Sequence, residues 1–144
     1  MFRRLILALS AATSALALGA GPAAAQDLEG VRTPSGNIYC MAWPAQDGEP
    51  AGLRCDIRET SNRLPPRPAD CEEDWGDAFG LTPSGRGHRL CHGDTVANDA
   101  YPVLGYGRSW TRYGMTCVSR TSGLTCSNRQ GHGFALSRAA QSVF

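Results

Sequence analysis

The chain has 144 residues, with 14 basic and 13 acidic side chains and a formal net charge of +1. That length suits one domain with a modest core, and the near-neutral balance gives no reason to expect a nucleic-acid partner. Every basic residue is arginine; there is no lysine.

Residues 1–25 read as a cleavable export signal. Arg3 and Arg4 form a basic head, Leu5 to Leu18 an apolar core, and Ala23-Ala24-Ala25 a small-residue cleavage site, with Gln26 as the mature start. The apolar run is too short for a comfortable membrane span. No cysteine follows it closely, so neither lipid attachment nor a stable membrane anchor is expected after cleavage. The remainder, 26–144, is expected to be one domain, secreted or periplasmic.

Six cysteines in such a chain read as a disulfide framework, a composition found in oxidising compartments. Cys40 and Cys55 are equidistant from Asp47-Gly48, and Cys117 and Cys126 from Thr121-Ser122. If each dipeptide heads a hairpin, each pair lies directly opposite across two antiparallel strands. Cys71 is then left with Cys91. On the chain-entropy account each bridge contributes about 3 kcal/mol. No C-x-x-C occurs, so redox or metal chemistry is not indicated.

Gly and Pro recur every few residues, which argues against long helices. Short strands are expected over 37–43, 53–58, 78–81, 88–91, 115–119, 124–128 and 133–137. In the first, Ile38 and Cys40 share one face, and Tyr39 and Met41 the other. Thr60 to Asp70, with Pro65-Pro66-Arg67-Pro68, reads as an extended connection. Asp70 and Glu73 resemble a capping box and predict a short helical turn through Trp75. The phrase Thr-Pro-Ser-Gly occurs at 33–36 and 82–85, with Thr-Ser-Gly at 121–123. Its irregular spacing indicates repeated turn chemistry and not a structural repeat. The fold expected is all-β: a small antiparallel sandwich or barrel-like domain with three disulfides and little helix.

Charge is lopsided. Residues 26–99 carry 7 arginines and 13 acids, whereas 100–144 carry 5 arginines and no acid. The arginines are not in runs, so the expected reading is either that the two halves pack together and neutralise each other or that the arginines are spread over solvated strands.

Thr33-Pro34-Ser35-Gly36-Asn37-Ile38-Tyr39-Cys40, Leu53-Arg54-Cys55-Asp56-Ile57, Gly123-Leu124-Thr125-Cys126-Ser127-Asn128 and Gly131-His132-Gly133-Phe134-Ala135-Leu136-Ser137-Arg138 resemble a family of small exported bacterial proteins of unknown function. That family carries TPSGNI-x-C near its start and GHGF-x-LSR near its end. Cys91-His92-Gly93-Asp94-Thr95 and Tyr106-Gly107 also look like family positions. The resemblance implies export, disulfides and a compact bacterial domain. It supplies no catalytic residues.

Candidate chemistry is sparse. His88 and His92 on a strand would hold their rings about 13 Å apart, too far for one metal ion. The acids Asp70, Glu72, Glu73, Asp74 and Asp77 lack a calcium-loop spacing. Trp43, Trp75, Trp110, Tyr101, Tyr106 and Tyr113 suit a core or the rim of a carbohydrate or peptide groove. No metal and no cofactor is expected. His132, between Gly131 and Gly133 and near Arg138, is the preferred binding residue, with Asp94 as a further candidate. The expected function is a non-enzymatic binding or envelope-associated module that engages a protein or an envelope component. The alternative is a small hydrolase acting on an envelope component, with His132 as general base and Asp94 as orienter.

Overall fold

The computed structural model describes residues 29–144; the expected export signal and its cleavage point lie outside the described residues. The chain forms β1 (Gly30–Arg32), β2 (Ile38–Trp43), β3 (Gly52–Ile57), β4 (Asp74–Leu81), β5 (His88–His92), β6 (Ser109–Arg112), β7 (Met115–Arg120), β8 (Gly123–Asn128), β9 (Gly133–Leu136) and β10 (Gln141–Val143). They build two five-stranded sheets, β1-β2-β3-β4-β5 and β10-β9-β8-β7-β6. All neighbouring strands are antiparallel. The expected all-β fold is therefore present as two open sheets, and no helix occurs among the described residues.

Both hairpin arguments hold. Asp47 and Gly48 have positive φ of 52° and 85°, the backbone of a tight two-residue turn, and Cys40 pairs with Cys55 in register. Thr121-Ser122 joins β7 to β8, and Cys117 pairs with Cys126. The structure joins Cys40–Cys55, Cys71–Cys91 and Cys117–Cys126, with no free cysteine among the described residues.

Alternation along the strands makes the core. Cys40, Leu53, Cys55, Ile57, Phe79 and Leu81 of the first sheet face Met115, Cys117, Leu124, Cys126, Phe134 and Leu136 of the second. Phe79 and Phe134 meet with ring centroids 5.7 Å apart. Each such large apolar side chain contributes about 1.5–3 kcal/mol on burial. Tyr39 lies on the other face of β2, in a second cluster with Val96 and Tyr101. The loop between β5 and β6 supplies that cover.

The lateral gaps between the sheets are tied by a few bonds. On one side the loop between β5 and β6 is tied to β1, where Leu104 N–H donates to the Arg32 carbonyl (2.8 Å). On the other, Arg89 donates to the Gln141 carbonyl (3.0 Å).

Three sequence expectations need comment. The helical turn over Asp70 to Trp75 is absent: Asp74 and Trp75 belong to β4 and pair with His92 and Cys91. The Cys71–Cys91 bridge and the strand ladder hold this segment extended, and tertiary pairing overrides the local capping signal. Strands β1, β6 and β10 were not expected; they are edge strands of the two sheets and only three or four residues long. The three Thr-Ser-Gly phrases precede β2, β5 and β8, which are not equivalent positions in the two sheets. They are turn chemistry, as expected. The two halves nevertheless share one plan, a five-strand meander with a disulfide across its second and third strands.

Candidate functional site: an arginine-lined cleft between the sheets

The first Thr-Pro-Ser-Gly turn builds one wall of a cleft. Thr33 Oγ1 accepts from Ile38 N–H (3.1 Å), and Gly36 N–H donates to the Thr33 carbonyl (2.9 Å), closing the turn. Asn37 then acts as a clasp. Its side chain donates to the Glu59 carbonyl (3.0 Å) and accepts from Glu59 N–H (2.9 Å), and its carbonyl accepts from Arg58 N–H (2.8 Å). Arg58 and Glu59 are thereby fixed just beyond the end of β3. From the second sheet come Arg120 at the end of β7, the turn Thr121-Ser122, and Ser137-Arg138 beyond β9. The two sets of strand ends enclose a cleft of about 510 Å³.

Three arginines, Arg58, Arg120 and Arg138, line it with a single carboxylate, Glu59. Glu59 pairs with Arg138. Among the described residues neither Arg58 nor Arg120 has a carboxylate within salt-bridge distance. Arg58 is held in place differently: its guanidinium lies 5.2 Å from the centre of the Tyr39 ring and donates to Tyr39 Oη at 3.2 Å. Tyr39 in turn donates to Asp99 Oδ1 at 2.6 Å. That bond to Asp99 and the burial of the ring push the Tyr39 hydroxyl pKa up.

A second, smaller concavity lies on the outer face of the first sheet, where Asp94 sits. Arg54 and Asp56 point outward from β3. Arg54 Nε donates to Asp56 Oδ1 (2.8 Å), and Arg54 Nη1 to Asp94 Oδ1 (2.7 Å). Asp56 Oδ2 also accepts from Thr95 Oγ1 and Val96 N–H, both at 3.0 Å. His92 spends both ring nitrogens here: Nδ1 on the Asp94 carbonyl and Nε2 on Asp77 Oδ1, each at 2.7 Å. Both partners are acceptors, an arrangement that favours the doubly protonated ring. Burial opposes that charge, but the bonds to Asp77 and to the Asp94 carbonyl outweigh it and raise the pKa of His92 above its ordinary value. Asp94 is held below the usual carboxylate range by its bond to Arg54. The segment Cys91 to Thr95 is thus a clamp that lays residues 93–97 across the sheet.

A family model matches residues 8–144. The chain belongs to DUF6636, a family of unknown function. No curated protein and no solved structure matches it.

The segments that carry the DUF6636 resemblance divide between these two places and a third. Thr33 to Asn37 and Ser137-Arg138 form the cleft. Arg54-Cys55-Asp56 and His92 to Thr95 interlock as the clamp. Gly131-His132-Gly133 is the turn from β8 to β9, at the end of β8 opposite the cleft. There Asn128 Oδ1 accepts from His132 N–H (3.1 Å), and Asn128 Nδ2 donates to the Thr82 and Gly85 carbonyls (3.1 and 2.9 Å). Gly133 is needed for close approach: a Cβ on it would lie 1.9 Å from the Cys126 carbonyl oxygen. The structure therefore places Arg138 in the cleft, Asp94 in the clamp and His132 in a distant turn, and His132 and Asp94 do not hydrogen-bond one another. Of the aromatic candidates Tyr106 lines the cleft, whereas Tyr101 and Trp110 are buried.

Sequence reasoning missed Arg58 and Arg120. Arg58 directly follows β3 and Arg120 is the last residue of β7, and only the packing of the sheets brings them together. It also missed the pairing of Arg54 with Asp56. The signal was there: two opposite charges at alternate positions on one face of a strand otherwise bound for the core.

Proposed function

We propose that this protein is an exported, non-enzymatic binding module, working in the periplasm or outside the cell, whose cleft takes an anionic ligand. One observation carries the reading: Arg58 and Arg120, contributed by different sheets, line one cleft, and among the described residues neither has a carboxylate within salt-bridge distance. Arginine presents a planar fork of donors to a carboxylate or phosphate, and two such forks on opposite walls favour a compact acid between them. Arg58 is preorganised by Tyr39 and Asp99, so little freedom is lost on binding. The three disulfides fit an oxidising compartment.

Binding is favoured over hydrolysis because the histidines lie elsewhere and the carboxylate of the cleft, Glu59, is paired with Arg138. His92 has no free ring nitrogen, and His132 stands at the far end of β8 from the arginines. The test is calorimetric titration of the oxidised protein with inorganic phosphate, citrate and a neutral polyol. Saturable binding of an anion, abolished in Arg58→Gln/Arg120→Gln and absent for the polyol, is expected. Equal binding by the double variant would overturn the reading.

A further inference from the structure

Arginines alone specify an anion and not its scaffold, but the remaining lining of the cleft is distinctive. It is rich in hydroxyls, with Ser35 from one sheet and Ser122 and Ser137 from the other. It also carries Tyr106, which is 50% exposed and, with Val103, one of two large apolar side chains left in solvent among the described residues.

Tyr106 is not on a loose loop. It stands on a turn between Gly105 and Gly107 that is bonded back onto β7. Gly107 N–H donates to the Ser119 carbonyl (2.7 Å), Arg108 N–H to the Gly105 carbonyl (3.0 Å), and Ser119 N–H to the Arg108 carbonyl (3.0 Å). Ser119, which anchors this turn, immediately precedes Arg120. An aromatic plate and a guanidinium are therefore mounted on two adjoining stretches of backbone that hydrogen-bond to one another. Exposing a ring costs solvation, and fixing its backbone removes the entropy penalty of ordering it later. A ring presented in this way suits stacking against another flat, weakly polar face.

A ligand that matches all three elements has an acid group, several hydroxyls and a face of C–H bonds. A sugar ring bearing an acid has all of them. We propose, resting on the anion-binding reading of the same cleft, that its ligand is a segment of an acidic oligosaccharide. Its acid group lies between Arg58 and Arg120, a pyranose face lies on Tyr106, and ring hydroxyls exchange hydrogen bonds with Ser35 and Ser122. A cleft of about 510 Å³ is within the usual size of small-ligand sites.

The acid on the sugar is a carboxylate, a sulfate or a phosphate, and the experiment separates these. The oxidised protein is titrated with oligogalacturonate, with a sulfated oligosaccharide and with a phosphorylated one, each against a neutral oligosaccharide of equal length and against inorganic phosphate. At least one acidic oligosaccharide should bind ten times or more tighter than both controls. Tyr106→Ala, checked for an unchanged melting temperature, should remove that margin while leaving inorganic phosphate binding intact; Arg120→Gln should weaken both. If phosphate binds but no acidic oligosaccharide binds tighter, or Tyr106→Ala changes nothing, the saccharide inference is wrong and the anion site stands. If neither phosphate nor any acidic oligosaccharide binds, both readings fall.

Discussion

The Sγ atoms of Cys55 and Cys126 lie 3.7 Å apart, so the two hairpin disulfides touch across the interface of the sheets. Each bridge sits where a large apolar side chain would otherwise be needed. All four of its cysteines are buried to within 1%. The pair therefore contributes twice: by restricting the unfolded chain and by filling the centre of the core. Among the described residues no carboxylate or imidazole shares that centre, which is sulfur and hydrocarbon.

Reduction should be ordered. Cys91 is exposed, whereas the other two bridges are sealed in the core. Limited treatment with reductant, followed by alkylation and peptide mapping, should label Cys71 and Cys91 first. Labelling of Cys40 or Cys117 at the same rate would show that the core opens as readily as the surface. Full reduction should lower the melting temperature steeply, since three bridges at about 3 kcal/mol each rival a typical folding free energy of ~5–15 kcal/mol.

His92 should make stability pH-dependent on the alkaline side of its ordinary value. Its pKa is raised in the folded state above 6.5, so the folded protein favours the imidazolium. The stabilisation is then complete below about pH 6.5 and is lost as pH rises through the folded value. Melting temperature measured from about pH 5 to pH 9 should fall across the upper part of that range. In His92→Gln the fall should disappear; an identical slope in both proteins would remove His92 as its cause.

Asp56 is the centre of the clamp. It is 5% exposed and accepts from Arg54, Thr95 and the Val96 amide. Asp56→Ala removes the acceptor of Arg54 Nε, Thr95 Oγ1 and the buried Val96 amide while Arg54 keeps its bond to Asp94, a change that should cost about 1–3 kcal/mol. Asp94→Ala, whose side chain is 79% exposed, should cost far less. Urea denaturation distinguishes them, and equal losses would mean that the outer carboxylate carries the clamp.

His132 and its neighbour should respond in opposite ways. The His132 ring makes no hydrogen bond among the described residues, so His132→Ala should leave the melting temperature nearly unchanged. Gly133→Ala drives a methyl into the Cys126 carbonyl and should fail to fold or lose several kcal/mol. A loss of about 2 kcal/mol or more in His132→Ala would instead place the ring in a buried hydrogen-bond network.

Glu59 occupies Arg138 within the cleft. If the cleft takes an anion, Glu59→Gln should tighten its binding severalfold by releasing that arginine and removing a like charge. Weaker binding in this variant would show that Glu59 belongs to the ligand's own contacts.

How much of this was legible in the chain itself follows physical range. The disulfide pairing was legible because a two-residue turn fixes register, and register places Cys40 against Cys55 and Cys117 against Cys126 through local geometry alone. The all-β class was legible from dense Gly and Pro and from alternation in β2, β3, β7 and β8. The short edge strands β1, β6 and β10 were not, because each exists by pairing with a neighbouring strand and carries little pattern of its own. The clamp needed tertiary structure: His92 is separated from Asp77, and Arg54 from Asp94, by stretches that only the ladder of β3, β4 and β5 brings side by side. The cleft needed it most. Arg58, Tyr106 and Arg120 come from three separate stretches of chain and meet only where two sheets pack with their strand ends aligned. Local propensity sets turns and registers; which side chains share a cleft is set by how the finished sheets face each other.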